Sequence, residues 1–342
     1  MPPRFSIILI TFNSARFLGP VLASIKEQTG KNWETIIIDQ ASNDGGLEIV
    51  RQWGHEDERI RIIENPTNIG FCAAVNQGIV ASRGETVLLL NHDAVLDARY
   101  LELALAVFAR DSQIAAVQGK VHRYDFSADE DERALNIIDT TGLIMLKSRR
   151  IIDRGQGETD HGQYNAPGEV FGVNGAVSFW RREALEDIRL CLQDRCEYLD
   201  EDFFMYKDDV DLSWRARLAG WKIVYDPACL AWHQRGSGRS AARNPLEIVR
   251  ERSAINALAK YHSWKNARLL VVKNDLALNA LADLPWWLAK EVASWLYVLF
   301  AEPTTLRALG ETLRLLPRAL LKRRLIMAKR RVSSRDMHQW FQ

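Results

Sequence analysis

The chain has 342 residues, 47% of them hydrophobic and 26% charged, with a net charge of +1. That is enough for one large α/β domain with an extension, or for two domains, and it excludes a chain disordered over most of its length. The charge is unevenly spread: ten Lys and Arg between residues 301 and 342 face only Glu302, Glu311 and Asp336, so the tail is basic and the rest acidic by compensation. Cys72, Cys191, Cys196 and Cys229 show neither CxxC spacing nor a paired His/Cys zinc pattern, so free thiols in a reducing cytosol are expected. Met1 to Arg4 lead straight into a strand-like run, so no secretory leader is expected.

Strand and helix signals alternate over the first 120 residues. Strands are predicted at Phe5–Asn13, Trp33–Gln40, Ile60–Pro66, Glu85–Asp93 and Ile114–His122, and helices at Ala15–Thr29, Gly46–Gly54, Phe71–Ser82 and Arg99–Asp111. Near-continuous apolar strands between helices imply a mostly parallel sheet covered on both faces, whose ligands bind beyond the carboxyl ends of the strands. Those ends carry Thr11 and Asn13; Asp39, Ser42 and Asp44; Asn65 and Asn68; and Asn91 and Asp93, which together point to one polar cleft.

From Tyr124 to Gly168 periodicity is poor, and loops with short strands over the site are expected. Phe171–Leu185 reads as a glycine-bearing turn, a strand and a helix start. Acids at Asp208, Asp209 and Asp211 open a helix that Gly220 ends, and a strand leads on to His233 and a Gly/Ser/Arg loop, Arg235–Arg239. Trp214 and Trp221 read as core. Beyond Asn244 the pattern is helical, so units of 1–243 and 244–342 are expected. The apolar stretch Leu284–Ala301 is broken by Lys290 and Glu291 and is not read as membrane-spanning, which takes about 20 mostly apolar residues.

The segment VLLLNHDAV, Val87–Val95, ends a buried strand in three potential ligands. Residues two apart on a strand share a face, so Asn91 and Asp93 are expected to point together and His92 away. A carboxylate with an amide at the mouth of a phosphate-sized cleft suits Mg²⁺ or Mn²⁺, which keep sites open for phosphate oxygens and water. Taken alone, Asp93 and Asp39 are also ordinary turn residues, Asp208, Asp209 and Asp211 ordinary first-turn acids, and Gly70 and Gly175 ordinary turn glycines.

Taken together, IILITFN, IIIDQASNDGG, ENPTNIGFCAAVNQGI, LLLNHD, GVNGAVSFWRREAL and EDFFMYKDDVDLSWRARLAGW resemble the family 2 glycosyltransferases with the GT-A fold, over roughly residues 5–240. Within the family they look most like rhamnosyltransferase-type enzymes of cell-surface polysaccharide synthesis. The resemblance implies inverting transfer of a sugar from a nucleoside-diphosphate donor, rhamnose from dTDP-rhamnose in the first instance, to a glycan or polyprenyl-linked glycan.

It implies a donor site of Thr11, Asn13, Asp39, Ser42, Asp44, Asn68, Gly70, Phe71, Asn76, Asn91 and Gly175, with Gly172 and Asn174 near the acceptor. Asn91–Asp93 matches the metal-binding DxD motif with its first acid replaced by Asn, which removes one negative charge from the site. Asp208–Asp209 matches the acidic pair that ends in the catalytic base, with Asp209 preferred, and His233 matches a histidine that completes the metal shell in some members.

The chemistry asks for the same groups: a metal stabilises the leaving diphosphate, and a carboxylate takes the acceptor's proton. Other readings are another hexosyl- or galactofuranosyltransferase of the family, or a non-catalytic nucleotide-sugar-binding module. A Rossmann dehydrogenase is disfavoured, because TFNSARFLG after the first strand lacks GxGxxG. The basic, tryptophan-bearing C-terminal helices suggest an anionic membrane surface, here the cytoplasmic face of the plasma membrane, with a homodimer contact as the competing use. No nucleic-acid partner is expected, since no binding motif accompanies the basic residues.

Overall fold

Phe5–Thr11 and Trp33–Asp39 are buried along their whole length and Thr86–Asn91 over nearly all of it, which only the interior of a sheet covered on both faces provides. The computed structural model describes residues 3–193, 195–235, 241 and 244–342, with Pro245 as backbone only. In chain order the elements are β1 (Phe5–Thr11), α1 (Ala15–Lys26), β2 (Trp33–Asp39), α2 (Gly46–Glu56), β3 (Ile60–Glu64), α3 (Phe71–Ala81), β4 (Thr86–Asn91), β5 (Ala94–Leu96), α4 (Tyr100–Arg110), β6 (Ile114–Tyr124), β7 (Ala134–Thr140), β8 (Leu143–Met145), β9 (Ile151–Asp153) and β10 (Gly168–Glu169). Then come β11 (Val177–Arg181), α5 (Arg182–Ile188), β12 (Leu190–Leu192), β13 (Arg195–Glu197), α6 (Asp208–Leu218), β14 (Lys222–His233), α7 (Pro245–Ser253), α8 (Ala257–Asn274), α9 (Ala277–Ala282), α10 (Leu284–Ala301), α11 (Arg307–Ala328) and α12 (Ser334–His338).

The main sheet runs β10-β14-β6-β11-β4-β1-β2-β3, with β5 beside β14 and β7 beside β6. β3, β2, β1 and β4 are parallel neighbours, and β6 and β14 are parallel to each other. The expected fifth strand, β6, does not join β4 directly: β11 lies antiparallel between them. Side chains alternate across the sheet into two cores. Ile8, Ile10, Ile36 and Ile38 meet α3, α5 and α6, while Ile7, Leu9, Ile37 and Leu88 meet α1, α2 and α4. Trp214 is fully buried, as expected, and Trp221 is partly so.

The thiol expectation is corrected. Cys191 and Cys196 face each other across the β12–β13 hairpin, with Cα atoms 4.0 Å apart, and form a disulfide. The free cysteines are Cys72 and Cys229, both buried.

Part of the basic stretch from Pro317 to Arg335 pairs with the α/β part, while Arg318, Arg324, Arg330, Arg331 and Arg335 stay exposed and only Lys322 is fully buried. The Lys322 Nζ lies 2.5 Å from Glu197 and 2.8 Å from Asp202 and also pairs with Asp200. Arg318 pairs with Asp202, Arg331 with Asp187, Lys329 donates to the Asp187 and Arg189 carbonyls, and Arg323 donates to the Asp275 carbonyl. The cause is the acidic surplus of the α/β part, which draws these cations in. A residue's sign in the sequence does not tell which way it faces.

β14 carries a register shift between Asp226 and Leu230, and there Gly119 of β6 passes so close that an added Cβ would stand 2.2 Å from the Cys229 carbonyl oxygen. Gly119→Ala is therefore expected to pry β6 from β14 and cost about 1–3 kcal/mol, read as a lower urea midpoint at unchanged m.

Candidate active site

Register brings the candidate residues to one edge of the sheet. Thr11 pairs with Asp39 across β1 and β2, and Ile10 with Asn91 across β1 and β4. The Asn91 N–H donates to the Ala176 carbonyl (2.9 Å), which sets the Asn174–Ala176 turn beside the end of β4.

On the β2 side, the buried Asp39 carboxylate accepts from the Thr11 hydroxyl (3.0 Å) and from the Ser42 hydroxyl (2.6 Å) and N–H (2.9 Å). Asn13, at φ 49°, accepts from the Asn43 N–H (2.9 Å), and its own N–H donates to the Ser42 hydroxyl (3.0 Å). Asp44 accepts from the N–H groups of Ala15 (2.8 Å) and Gly46 (3.0 Å), so it braces the starts of α1 and α2. Asn68 accepts from the Gly70 N–H (2.9 Å), and Phe71 opens α3 against Asp208, Asp209 and Gly175. Asn76 is buried away from the strand ends: its amide donates to Leu199 and Glu201 and accepts from Tyr198 and Leu199. Its polar atoms are committed to the segment leading to the acid pair.

The expected strand alternation at Asn91–Asp93 does not apply, because β4 ends at Asn91 and His92–Asp93 is a turn. His92 packs against Phe17 of α1, ring centroids 5.6 Å apart, so it does turn to a different neighbour from Asp93. His233 Nε2 stands 3.3 Å from Asp93 Oδ1, and its Nδ1 is 3.0 Å from Asp139. Burial opposes charge on this imidazole, yet the two flanking carboxylates push its pKa up to about 10. Asp93 in turn sits below its ordinary value: burial works against ionisation, and the charge and long hydrogen bond of His233 with the smaller pull of His92 together overcome it.

The chain of contacts continues. Arg235 joins Asp139 (2.9 Å) to Asp153 (2.5 Å), Asp153 accepts from the Asn174 amide (2.8 Å), and the Gly175 N–H donates to Asp209 (3.1 Å). One polar network thus runs from Asp93 to Asp209. The rest of the Arg-rich loop, Gly236–Arg239, lies outside the described residues.

Asp208 and Asp209 open α6. Burial raises the Asp208 carboxyl to about 7, reinforced by the charge of Asp209. Burial raises Asp209 as well, against the pull of Lys207. Gly172 lies against Ser213 of α6, where a Cβ would be 2.6 Å from the Ser213 side chain, so the turn carrying Asn174 can approach the acid helix closely. A carboxylate held this way is suited to accepting a proton.

Sequence reasoning missed Asp139, Asp153 and Arg235 as members of this network. The two acids lie in the weakly patterned stretch, and only their polar spacing in strand-like runs marked them.

Residues 6–189 match the family Glycosyl transferase family 2, more than half of the chain, and the chain belongs to that family. A Bacillus subtilis (strain 168) protein named as a glycosyltransferase, EpsE, is 29% identical over 143 residues, 42% of this chain and 51% of its own length. The poly-β-1,6-N-acetyl-D-glucosamine synthase of Staphylococcus epidermidis is 23% identical over 227 residues, 66% of this chain and 49% of that one. The chain spans about half the length of the curated relatives it matches. A solved mannosyltransferase from Pyrobaculum calidifontis, in complex with GDP-Man and Mn²⁺, aligns with a TM-score of 0.51 at 19% identity, over 96% of this chain and 86% of its own. At that identity the likeness is one of fold, and the fold is GT-A.

Proposed function

We propose that this chain is a metal-dependent inverting glycosyltransferase. It moves a sugar from a nucleoside diphosphate, rhamnose from dTDP-rhamnose in the first instance, to a glycan or polyprenyl-linked glycan of the cell surface. The observation that carries this reading is the pair of a buried Asp208 and a partly buried Asp209, set against Gly175 at the strand-end edge that also holds Asp39 and Asp93. Asp209 takes the acceptor proton, with Asp208 beside it as the reserve for that role; burial holds the Asp209 carboxyl above its ordinary value. Thr11, Asn13, Asp39, Ser42, Asp44, Asn68, Gly70 and Phe71 form or brace the nucleotide side, and Gly172 and Asn174 the acceptor side. Residues 1–243 form the transferase unit and 244–342 a helical unit docked on it.

The residues suit a divalent cation. Asp93 Oδ1 is buried and accepts no close hydrogen bond: His233 Nε2 stands 3.3 Å from it while Asp139 holds the other ring nitrogen, so a cation between them would take the place of the Nε2 proton. Among the described residues no set of three His, Cys, Asp or Glu side chains converges as a metal site. Asp93 and His233 would therefore hold Mg²⁺ or Mn²⁺, with diphosphate and water completing the shell. Held there, such a cation would supply Lewis-acid stabilisation of the charge on the departing diphosphate.

The helical unit is proposed to rest on the cytoplasmic face of the plasma membrane. Only Val298 of α10 is buried, while Leu284, Leu288, Val292, Leu296 and Phe300 are exposed, and its Glu291 turns to Arg268 (2.8 Å). Among the described residues no helix is long and apolar enough to cross a membrane. An uncharged face with tryptophans at Trp286 and Trp295 suits a helix lying in the headgroup region.

Asp209→Asn is expected to lower transfer by roughly 10²–10⁴-fold while the donor still binds; full activity would refute the base. Since the base acts ionised and its pKa is raised, kcat/KM of the unaltered enzyme should fall on acidification well before the ordinary carboxylate range. Asp93→Ala is expected to weaken nucleoside-diphosphate binding roughly 10–100-fold in Mn²⁺ and not in its absence, by calorimetric titration. In flotation with phosphatidylglycerol vesicles, Leu288→Glu with Leu296→Glu should release the protein. Sedimentation as a dimer that this pair of substitutions dissolves would assign the face to self-association instead.

A further inference from the structure

Phe204, Tyr206 and Lys207 all have positive φ (66°, 69° and 67°), and none is glycine. Three such residues within four positions, ending where α6 begins, form a loop that does not hold its shape by itself. What holds it comes from α8, about sixty residues further on. Asn266 is fully buried, and its amide nitrogen lies 3.0, 2.8 and 2.8 Å from the carbonyls of Phe203, Met205 and Tyr206. Its two N–H groups are thus shared among three backbone acceptors. One turn earlier on the helix, His262 stacks on Phe204, with centroids 5.1 Å apart and planes 16° apart. On the other side Phe204 lies so close to Gly70 that a Cβ there would be 2.5 Å from its ring, and the Cys72 N–H donates to the Phe204 carbonyl (3.0 Å). Further along α8, Lys273 and Asn274 reach Asp211 at 2.9 and 2.8 Å, so one helix grips both sides of Asp208–Asp209.

We propose that Asn266 is a positioning residue for the acid pair, its amide clamping the strained Phe204–Lys207 loop so that Asp209 meets the Gly175 turn. The family match ends at residue 189, before both the loop and its clamp. The positioning role rests on the reading of Asp209 as base; the clamp itself does not. A displacement of about 1 Å at a reacting group can lower turnover by roughly 10²-fold.

The test uses the full chain with Asn266→Ala, and Leu269→Ala, a buried residue of the same helix outside the clamp, as a control for destabilisation. Hydrogen exchange of peptides covering 203–210 should speed up at least tenfold in Asn266→Ala and not in Leu269→Ala at equal distance from its own melting midpoint. Nucleoside-diphosphate release from dTDP-rhamnose or GDP-mannose with Mn²⁺, whichever the unaltered enzyme turns over, should show kcat down 10- to 100-fold and donor affinity changed less than threefold. Asn266→Ser, which retains one donor, should lie between and serves if Asn266→Ala does not fold. Unchanged exchange in Asn266→Ala or Asn266→Ser, or equal effects from Leu269→Ala, would overturn the clamp. Faster exchange with unchanged kcat would overturn the positioning role. Asp209→Asn, measured in parallel, separates these outcomes from failure of the base itself.

Discussion

A single carboxylate, that of Asp200, holds the ammonium groups of two lysines that arrive from two different helices, Lys273 of α8 and Lys322 of α11. All three side chains are almost completely buried. Burial alone would keep the Asp200 carboxyl protonated, but the two cations hold it below its ordinary value. Glu197, Asp202 and Asp211 lie in the same contact set. So many acids cannot be taken from water without cations to meet them, and the local sequence between β13 and α6 supplies one lysine, Lys207. The C-terminal helices supply the others. The stretch that presents Asp208 and Asp209 therefore reaches its shape through charges more than sixty residues downstream.

A second network does similar work on the opposite wall. Asp139 and Asp153, from short strands over the cleft, hold His233 and Arg235 from the end of β14 and the Asn174 amide from the glycine turn. In the proposed mechanism, a metal corner at Asp93 and a proton acceptor at Asp209 must keep a fixed separation while a sugar passes between them. A continuous run of hydrogen-bonded, mostly buried groups fixes that separation better than either end does alone.

How much of this could be read in the sequence depends on how local each cause is. β1, β2 and β4 were legible because an apolar run between turn residues has few other uses, and their polar ends were legible because register follows from the strands. The antiparallel insertion of β11 was not, since strand order is a long-range choice. Asn76 carries no mark in the sequence to separate an amide that meets a ligand from one that holds a neighbouring loop. Lys322 looked like surface charge because its partner, Asp200, lies more than a hundred positions away, and the exposed Arg331 gave no sign of its pairing with Asp187 for the same reason. The Cys191–Cys196 pair was missed because its separation of five residues matches no metal or redox spacing, and only the hairpin sets the two side by side. Asp139 and Asp153 were obscured by poor periodicity around them, though short strands were expected in this stretch and β7, β8 and β9 lie there.

The mismatch between family similarity and physical integrity has a practical side. The family match ends at residue 189, and a fragment trimmed to that limit would keep Asp39 and Asp93 while omitting Asp208, Asp209, His233 and both lysines that neutralise Asp200. Trimming at residue 243 would restore the acids and still leave Asp200 without Lys273 and Lys322, and Asp211 with Arg215 alone. For crystallisation or directed evolution, the unit to carry forward runs from β1 through α11, because the shortest segment recognisable by descent is not the shortest that can balance its own charges.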